Sequence, residues 1–293
     1  MTDVATAVTT RRRLLVPEAL RGNYLVLGGG LVLLCLVLVA VFAPLLAPFP
    51  EDAANATHAA NGLQPPSSAH WFGTDQVGRD IFSRVLYGTR VSLEISALVL
   101  IAAVAVGVPL GVAAGYFGGF IDDVIMRVTD VFLAFPALLL ALALAAVLGA
   151  SAENATLALA ITWWPWYARL ARGQAASVAG RQYIESARAL GLSNFRIIGR
   201  HVLPNSLTPV LVQMSLDAGG VIITVAGLSF LGLGAQDPTP EWGLMVAHGQ
   251  AFFTTHWWVA TFPGVAILLA AMAFNLVGDG LREALDPKRV IFR

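Results

Sequence analysis

The chain has 293 residues, of which 57% are hydrophobic and 12% charged, and its formal net charge at pH 7 is zero. Soluble domains carry about 25% charged residues, so this composition excludes an ordinary soluble fold and favours a membrane protein. The zero net charge gives no reason to expect a nucleic-acid partner. A single cysteine, Cys35, excludes a disulfide within the chain and a cysteine metal site.

The first two segments predict a tail followed by a membrane span. Residues 1–23 are polar and carry four arginines, as is typical of a cytoplasmic tail. The apolar run that opens residues 24–47 would form a helix of about 30 Å, the thickness of a hydrocarbon core. The apolar cores of cleaved signal peptides are only about 7–15 residues long. A retained first transmembrane helix is therefore expected here.

Residues 48–90 are predicted to form an extracytoplasmic loop that ends in an amphipathic helix. Residues 74–90 have one apolar face and one polar face, and the polar face consists of Asp75, Gln76, Arg79, Asp80, Ser83 and Arg84. Such a helix would lie on the membrane surface or against the bundle. A solvated helix that links two spans is the alternative.

Residues 91–282 are predicted to form a membrane core of five helices, which gives six transmembrane helices in an all-α protein. The expected spans are 91–115, 128–149, 155–171, 207–233 and 257–277. Four glycines recur at every fourth position and would let a neighbouring helix approach closely: Gly107, Gly111, Gly115 and Gly119. Pro109 and Pro136 are expected to kink their helices.

Between the fourth and fifth of the six spans lies a charged segment, residues 181–204, with the sequence RQYIESARALGLSNFRIIGRHVLP. Its pattern predicts two short helices separated by Gly191 in a left-handed conformation. Ser193 is expected to cap the second helix, and Pro204 to end it. The charged segment is too polar to cross a bilayer, so it must stand in water and face a partner.

The distribution of basic residues predicts the orientation of the chain. With a cytoplasmic N-terminus, 15 of the 18 Lys and Arg residues fall on the inner side. The positive-inside rule then places both termini in the cytoplasm, including the tail at 283–293, and the charged segment with them.

The charged segment also resembles a known motif. Six of its residues are spaced as in the "EAA" loop of ABC importer membrane subunits: Glu185, Ser186, Ala187, Gly191, Leu203 and Pro204. Ser186 departs from the usual Ala, and His201 from the usual Ile. Residues 70–90 and 228–243 resemble the C-type permease of dipeptide and oligopeptide importers. The resemblance runs from about Trp71 to the C-terminus.

This resemblance implies the architecture of a type I ABC importer permease, with the charged segment as a cytoplasmic coupling loop. It implies a second homologous permease subunit, two cytosolic ATPase subunits that hold ATP and Mg, and an extracytoplasmic substrate-binding protein. The expected location is the bacterial cytoplasmic membrane, in contact with lipid, and the expected substrates are di- and oligopeptides. Nickel, haem or another small solute could use the same scaffold.

The chain itself is not expected to be an enzyme. It has no glycine-rich phosphate loop that ends in Lys-Ser or Lys-Thr, and its five histidines are scattered, so neither ATP nor metal binding is expected. A secondary transporter or an intramembrane hydrolase would need paired charges or convergent catalytic residues. The sequence offers one mid-span charge, Asp217, which either lines a translocation path or bonds to a neighbouring helix.

Overall fold

The structure, a computed structural model, describes residues 24–285, which form nine α-helices, two short 3-10 helices (Pro50–Ala53 and Ala59–Asn61) and no β-strand. The helices are α1 (Tyr24–Leu46), α2 (Ile81–Phe117), α3 (Gly119–Leu133), α4 (Ala137–Leu148), α5 (Ala152–Ala179), α6 (Gln182–Ala189), α7 (Asn194–Phe230), α8 (Trp242–Gln250) and α9 (Trp258–Leu285). The all-α class is confirmed. The predicted N-terminal tail and most of the C-terminal tail lie outside the described residues.

Four of these helices are long and apolar enough to cross a membrane, namely α1, α2, α7 and α9. Helices α3 and α4 meet at 86° and count as a fifth span only if the bent pair crosses once. Helix α5 has 28 residues but is too polar to join this set, since Arg169 and Arg172 lie in its second half. Length and composition therefore support four or five of the six expected spans.

The glycine pattern of α2 packs against α5. A Cβ on Gly107, Gly111 or Gly115 would lie 2.4, 2.2 or 2.3 Å from a backbone carbonyl oxygen of α5, so only glycine allows this helix separation. The predicted close approach is confirmed at these three positions. It is wrong at Gly119, which begins α3 with φ +52° and faces open space.

Helix α1 packs against α9 and α2. A Cβ on Gly29 would lie 2.6 Å from the Cβ of Leu276, and a Cβ on Gly280 would lie 2.3 Å from Val26. Much of the remaining surface of α1 is exposed and apolar, as suits a helix in contact with lipid.

The predicted amphipathic helix at 74–90 is not a separate element. Its second half is the beginning of α2, while residues 74–80 form a turn closed by an isolated bridge between Thr74 and Asp80. The polar face is buried rather than solvated, and Arg84 is only 1% exposed. The sequence pattern was misleading because these polar side chains bond to one another and to loop carbonyls.

The bend expected at Pro136 is present, and it is sharp enough to divide the predicted span into two helices. Proline has no N–H to donate and restricts the residue before it. Helix α3 therefore ends at Leu133, and α4 starts directly after Pro136 in a new direction. Pro109, by contrast, lies inside α2, which continues to Phe117.

Candidate functional site

Helix α6 places the residues of the EAA-like pattern on two faces. Ile184 and Ala187 are buried against the bundle core, whereas Glu185 and Ser186 are exposed. The Ser186 hydroxyl donates a hydrogen bond to the carbonyl of Gln182 within the same helix. Ala187 is therefore a packing residue. The Glu185 carboxylate, which bonds to no group among residues 24–285, is free to meet a partner.

Gly191 ends α6 as the sequence predicts. Its φ of +78° lies in the left-handed region that favours glycine. The N–H of Gly191 donates to the carbonyl of Arg188, and the N–H of Leu192 to that of Ala187, which is the Schellman pattern. Leu192 also packs against the core. The turn therefore depends on the left-handed conformation of Gly191, and the packing of Leu192 against the core stabilises it.

The prediction that Pro204 ends the second helix is wrong. Helix α7 runs from Asn194 through Leu203 and Pro204 without a stop, and it contains a π-helical turn over Ile198–Val202. Pro204 stands in the first turn of the α-helical run that follows the π-helical turn, a position where proline is tolerated. Ser193 holds the N-cap position, as expected, but its side chain makes no capping hydrogen bond.

The charged segment exposes large apolar side chains on both sides of Gly191. Leu190 is 79% exposed and Phe195 is 91% exposed, and Tyr183 is also exposed. Aromatic and aliphatic groups displayed beside arginines in a polar segment are typical of a protein interaction surface. Together with Glu185, they give the charged segment the chemistry of a docking element.

Asp217 lies deep in α7 and is bonded on both oxygens. The Tyr167 hydroxyl of α5 donates to Oδ2 at 2.8 Å, and the Gln213 side-chain amide donates to Oδ1 at 2.8 Å. Asp217 therefore has the interhelical bond that one of the two sequence interpretations required. Asp217 and Pro204 are about 20 Å apart along α7, since an α-helix rises about 1.5 Å per residue. The structure does not bring Asp217 and the charged segment into one site.

A cluster of buried charged groups, which the sequence interpretation missed, fixes the start of α2. Asp80 is the N-cap, and its Oδ2 accepts from the N–H of Ser83 at 2.7 Å. Its Oδ1 pairs with His70 Nδ1 at 2.9 Å, and its own N–H donates to Asp52 Oδ2 at 2.8 Å. The preference of Asp for N-caps was the sequence signal that could have placed the start of α2 here.

The same cluster ties the 48–80 loop to the residues before α8. Arg79 Nε donates to Asp75 Oδ2 at 2.7 Å. Arg84 donates to the carbonyl of Asp52 at 2.9 Å and to that of Pro238 at 3.3 Å. These bonds satisfy charges that burial would otherwise penalise heavily. The loop, the start of α2 and the α7–α8 connection are thereby held together.

Glu241 was also missed, and it organises helix α8. Its carboxylate caps the helix by accepting from the N–H groups of Gly243 at 3.0 Å and Leu244 at 2.9 Å. The Ser92 hydroxyl of α2 donates to the same carboxylate at 3.2 Å. Complete burial raises the pKa of the Glu241 carboxyl even though these bonds oppose the change. Its capping role gives α8 a fixed position against α2.

A cleft of about 470 Å³ lies between α2 and the start of α5. Its lining is mostly apolar, with Glu94, Glu153 and Thr156 as polar groups. The volume falls within the range of about 300–1,000 Å³ that small-molecule sites occupy. Within the described part of the chain, no group of three or more His, Cys, Asp or Glu residues could hold a metal ion.

Comparison with known proteins identifies the family. Residues 107–291 match the binding-protein-dependent transport system inner membrane component family. Residues 18–66 match the N-terminal transmembrane domain of oligopeptide transport permease C. The fold alone resembles that of the MetNI methionine ABC transporter in an inward-facing conformation, with a TM-score of 0.56 and 15% identity over 70% of this chain and 98% of that one.

Three curated relatives cover nearly the whole chain. The dipeptide transport system permease protein DppC of Alkalihalophilus pseudofirmus is 45% identical over 98% of this chain and 92% of its own length. The probable D,D-dipeptide transport system permease protein DdpC of Escherichia coli is 47% identical, over 92% and 89%. The glutathione transport system permease protein GsiD of Pectobacterium atrosepticum is 45% identical, over 91% and 88%.

The fold and these similarities define a multi-pass helical membrane transport protein. The chain belongs to the binding-protein-dependent transport system inner membrane component family, whose members are ABC importer permeases. The resemblance found in the sequence motifs is thereby confirmed.

Proposed function

We propose that this chain is the C-type permease subunit of an ATP-driven importer for di- and oligopeptides. The names of three relatives, which refer to dipeptides, D,D-dipeptides and glutathione, support a short peptide-like substrate. Nickel, haem or another small solute remains the alternative cargo for this scaffold. The chain would form half of the translocation path with a second homologous permease subunit, and a substrate-binding protein would deliver the cargo from outside.

The chain would cross the membrane six times, with both termini in the cytoplasm. The four apolar helices would supply four of these spans. The bent α3–α4 pair would count as the fifth span, and α5 would be the sixth. At about 1.5 Å per residue, the 28 residues of α5 extend about 42 Å, enough to cross a bilayer. Its arginines Arg169 and Arg172 pair with Asp130 and Asp122 of α3, which lowers the cost of placing their charges in a span.

The charged segment would be the cytoplasmic coupling loop. It would contact the partner ATPases, two subunits that would bind ATP and Mg. The exposure of Glu185 beside Leu190 and Phe195 carries this proposal. A carboxylate without an internal partner and two apolar side chains in water gain most when a second protein covers them. The Schellman turn at Gly191 would hold α6 at the angle that docking requires.

The path would run beside Asp217 and include the cleft between α2 and α5. Asp217 is only partly buried, so it can face a water-filled route in the assembled transporter while Tyr167 and Gln213 hold it. Glu94 and Glu153 would place negative charge at the cleft, which suits the ammonium terminus of a peptide.

The test is peptide import and ATPase association by Glu185→Lys in the complete complex. Charge reversal at an interface contact can cost about 2–5 kcal/mol, so we expect loss of import and of ATPase co-purification with normal membrane expression. Gln182→Lys, also exposed on α6 but outside the pattern, is the matched control and should import normally. Normal import and association by Glu185→Lys would refute the docking role.

A further inference from the structure

One tyrosine joins the charged segment to the end of α2. Tyr116 lies one residue before the end of α2 and is 7% exposed. Its hydroxyl donates to Asn194 Oδ1 at 2.8 Å and accepts from Arg188 Nε at 3.4 Å. The Arg188 guanidinium also lies 4.9 Å from the centre of the tyrosine ring, a cation–π contact. Tyr116 thus contacts both α6, through Arg188, and the first residue of α7.

These are the directional contacts of the charged segment with another long helix. Among residues 24–285, the remaining side-chain hydrogen bonds of residues 181–204 stay within α6 or α7. The buried Ile184 and Ala187 hold the segment to the bundle through apolar packing, which permits sliding more readily than a hydrogen bond does. The Tyr116 contacts therefore determine how far α6 can move without moving α2.

Helix α2 is suited to carry such a movement across the molecule. It is continuous for 37 residues, about 55 Å. Its far end is clamped by buried charged groups, including Asp80 and Arg84, so a displacement of the helix also displaces the 48–80 loop. The close glycine contacts with α5 keep the two helices moving together.

We propose that Tyr116 is a positioning residue that transmits displacement of the charged segment to α2, through Asn194 and Arg188. This inference rests on the proposed coupling function of the charged segment. Without the Tyr116 contacts, ATPase subunits would still dock and hydrolyse ATP, but α6 would move relative to α2. Hydrolysis would then be only loosely linked to import.

The test uses the complete transporter in vesicles, with peptide imported per ATP hydrolysed as the readout. Tyr116→Phe keeps the ring and its cation–π contact but removes both hydroxyl bonds. Asn194→Ala removes the acceptor at an exposed site, so it leaves the buried core intact. We expect Asn194→Ala to lower the import-to-hydrolysis ratio roughly fivefold, the equilibrium effect of losing about one hydrogen bond. Tyr116→Phe loses two bonds and should lower the ratio at least as much. The ATPase rate and complex assembly should remain normal.

Three further variants separate coupling from general stability. Tyr87→Phe removes a hydroxyl elsewhere on α2 that makes no hydrogen bond within the described residues, and it should keep the wild-type ratio. Asn194→Asp retains an acceptor oxygen for Tyr116 and should also keep it. The double variant Tyr116→Phe/Asn194→Ala should be no worse than Tyr116→Phe alone, because Tyr116→Phe already loses the bond that Asn194→Ala removes.

A wild-type ratio in Asn194→Ala would overturn the inference, as would an equal drop in Tyr87→Phe. If Tyr116→Phe failed to assemble, Asn194→Ala would decide alone. Failure of the coupling proposal itself would look different, because Glu185→Lys would then import peptide and bind ATPase subunits normally. A transporter that assembles and imports while both variants match wild type rejects only the role of Tyr116.

Discussion

Substitution of Gly191 by valine tests whether the geometry of the charged segment matters apart from its chemistry. A Cβ at Gly191 would meet no atom within 4 Å, so the new side chain has room and packing contributes no penalty. The cost is conformational, because φ is +78° and an L-residue there loses about 1–2 kcal/mol. A β-branched residue lies at the upper end of that range.

This cost is small beside the roughly 5–15 kcal/mol that keeps a typical domain folded, so Gly191→Val should express and insert normally. It is large for one turn, since every 1.4 kcal/mol changes a conformational population about tenfold. The Schellman bonds to Arg188 and Ala187 would be lost, and α6 would no longer sit at its present angle. We therefore expect import to fall about tenfold.

Peptide uptake and ATPase co-purification are the assays, with Gly191→Asn as the matched control. Asparagine enters the left-handed region with little strain, so it should retain most of the uptake. If valine and asparagine behaved alike, the backbone conformation would not be the cause. Wild-type uptake by Gly191→Val, with φ remaining positive, would refute the argument that this turn orients α6.

The remaining predictions concern packing, topology and the path. Gly111→Leu should prevent assembly or destabilise the bundle in thermal unfolding, because even a Cβ there lies 2.2 Å from a carbonyl oxygen of α5; normal stability would contradict the close contact. An impermeant thiol reagent applied to intact cells should label Ser67→Cys but not Ser193→Cys, and the reverse pattern would invert the proposed orientation. Asp217→Asn should lower uptake more than Asp279→Asn, since two side chains bond the Asp217 carboxylate and none among residues 24–285 bonds that of Asp279; near-wild-type uptake by both variants would leave Asp217 without a transport role.

The sequence predicted features that depend on local backbone geometry. Gly191 was identified because few other residues can end a helix in the left-handed region. A close helix contact along α2 was predicted because glycines at every fourth position lie on one face of a helix, and the structure shows α5 to be the partner. Pro136 marked the break between α3 and α4 because proline cannot continue the hydrogen-bond ladder. In each case the constraint lies in the chain itself, so one sequence was enough.

Features that depend on distant partners were not predicted. Arg84 and Asp80 were assigned to the polar face of an amphipathic helix. Their burial was not predicted, because the groups that satisfy them come from the 48–80 loop and from Pro238. Pro204 was expected to end a helix, but a π-helical turn before it shifts the hydrogen-bond register. The mid-span Asp217 had two interpretations because its bond to Tyr167 joins different helices.

The two ends of α2 differ in whether their surroundings already have all their bonding partners within the chain. At the Asp80 end, the carboxylates and guanidinium groups are buried and satisfied by the chain itself, so that end is already ordered before any partner binds. At the Tyr116 end, the charged segment leaves Glu185 and Phe195 in water. Binding energy from a partner is therefore available mainly at the second end, since only unsatisfied groups gain from being covered. Because α2 is continuous and is bonded to the 48–80 loop at its Asp80 end, movement received at its Tyr116 end would be carried along the helix to that loop.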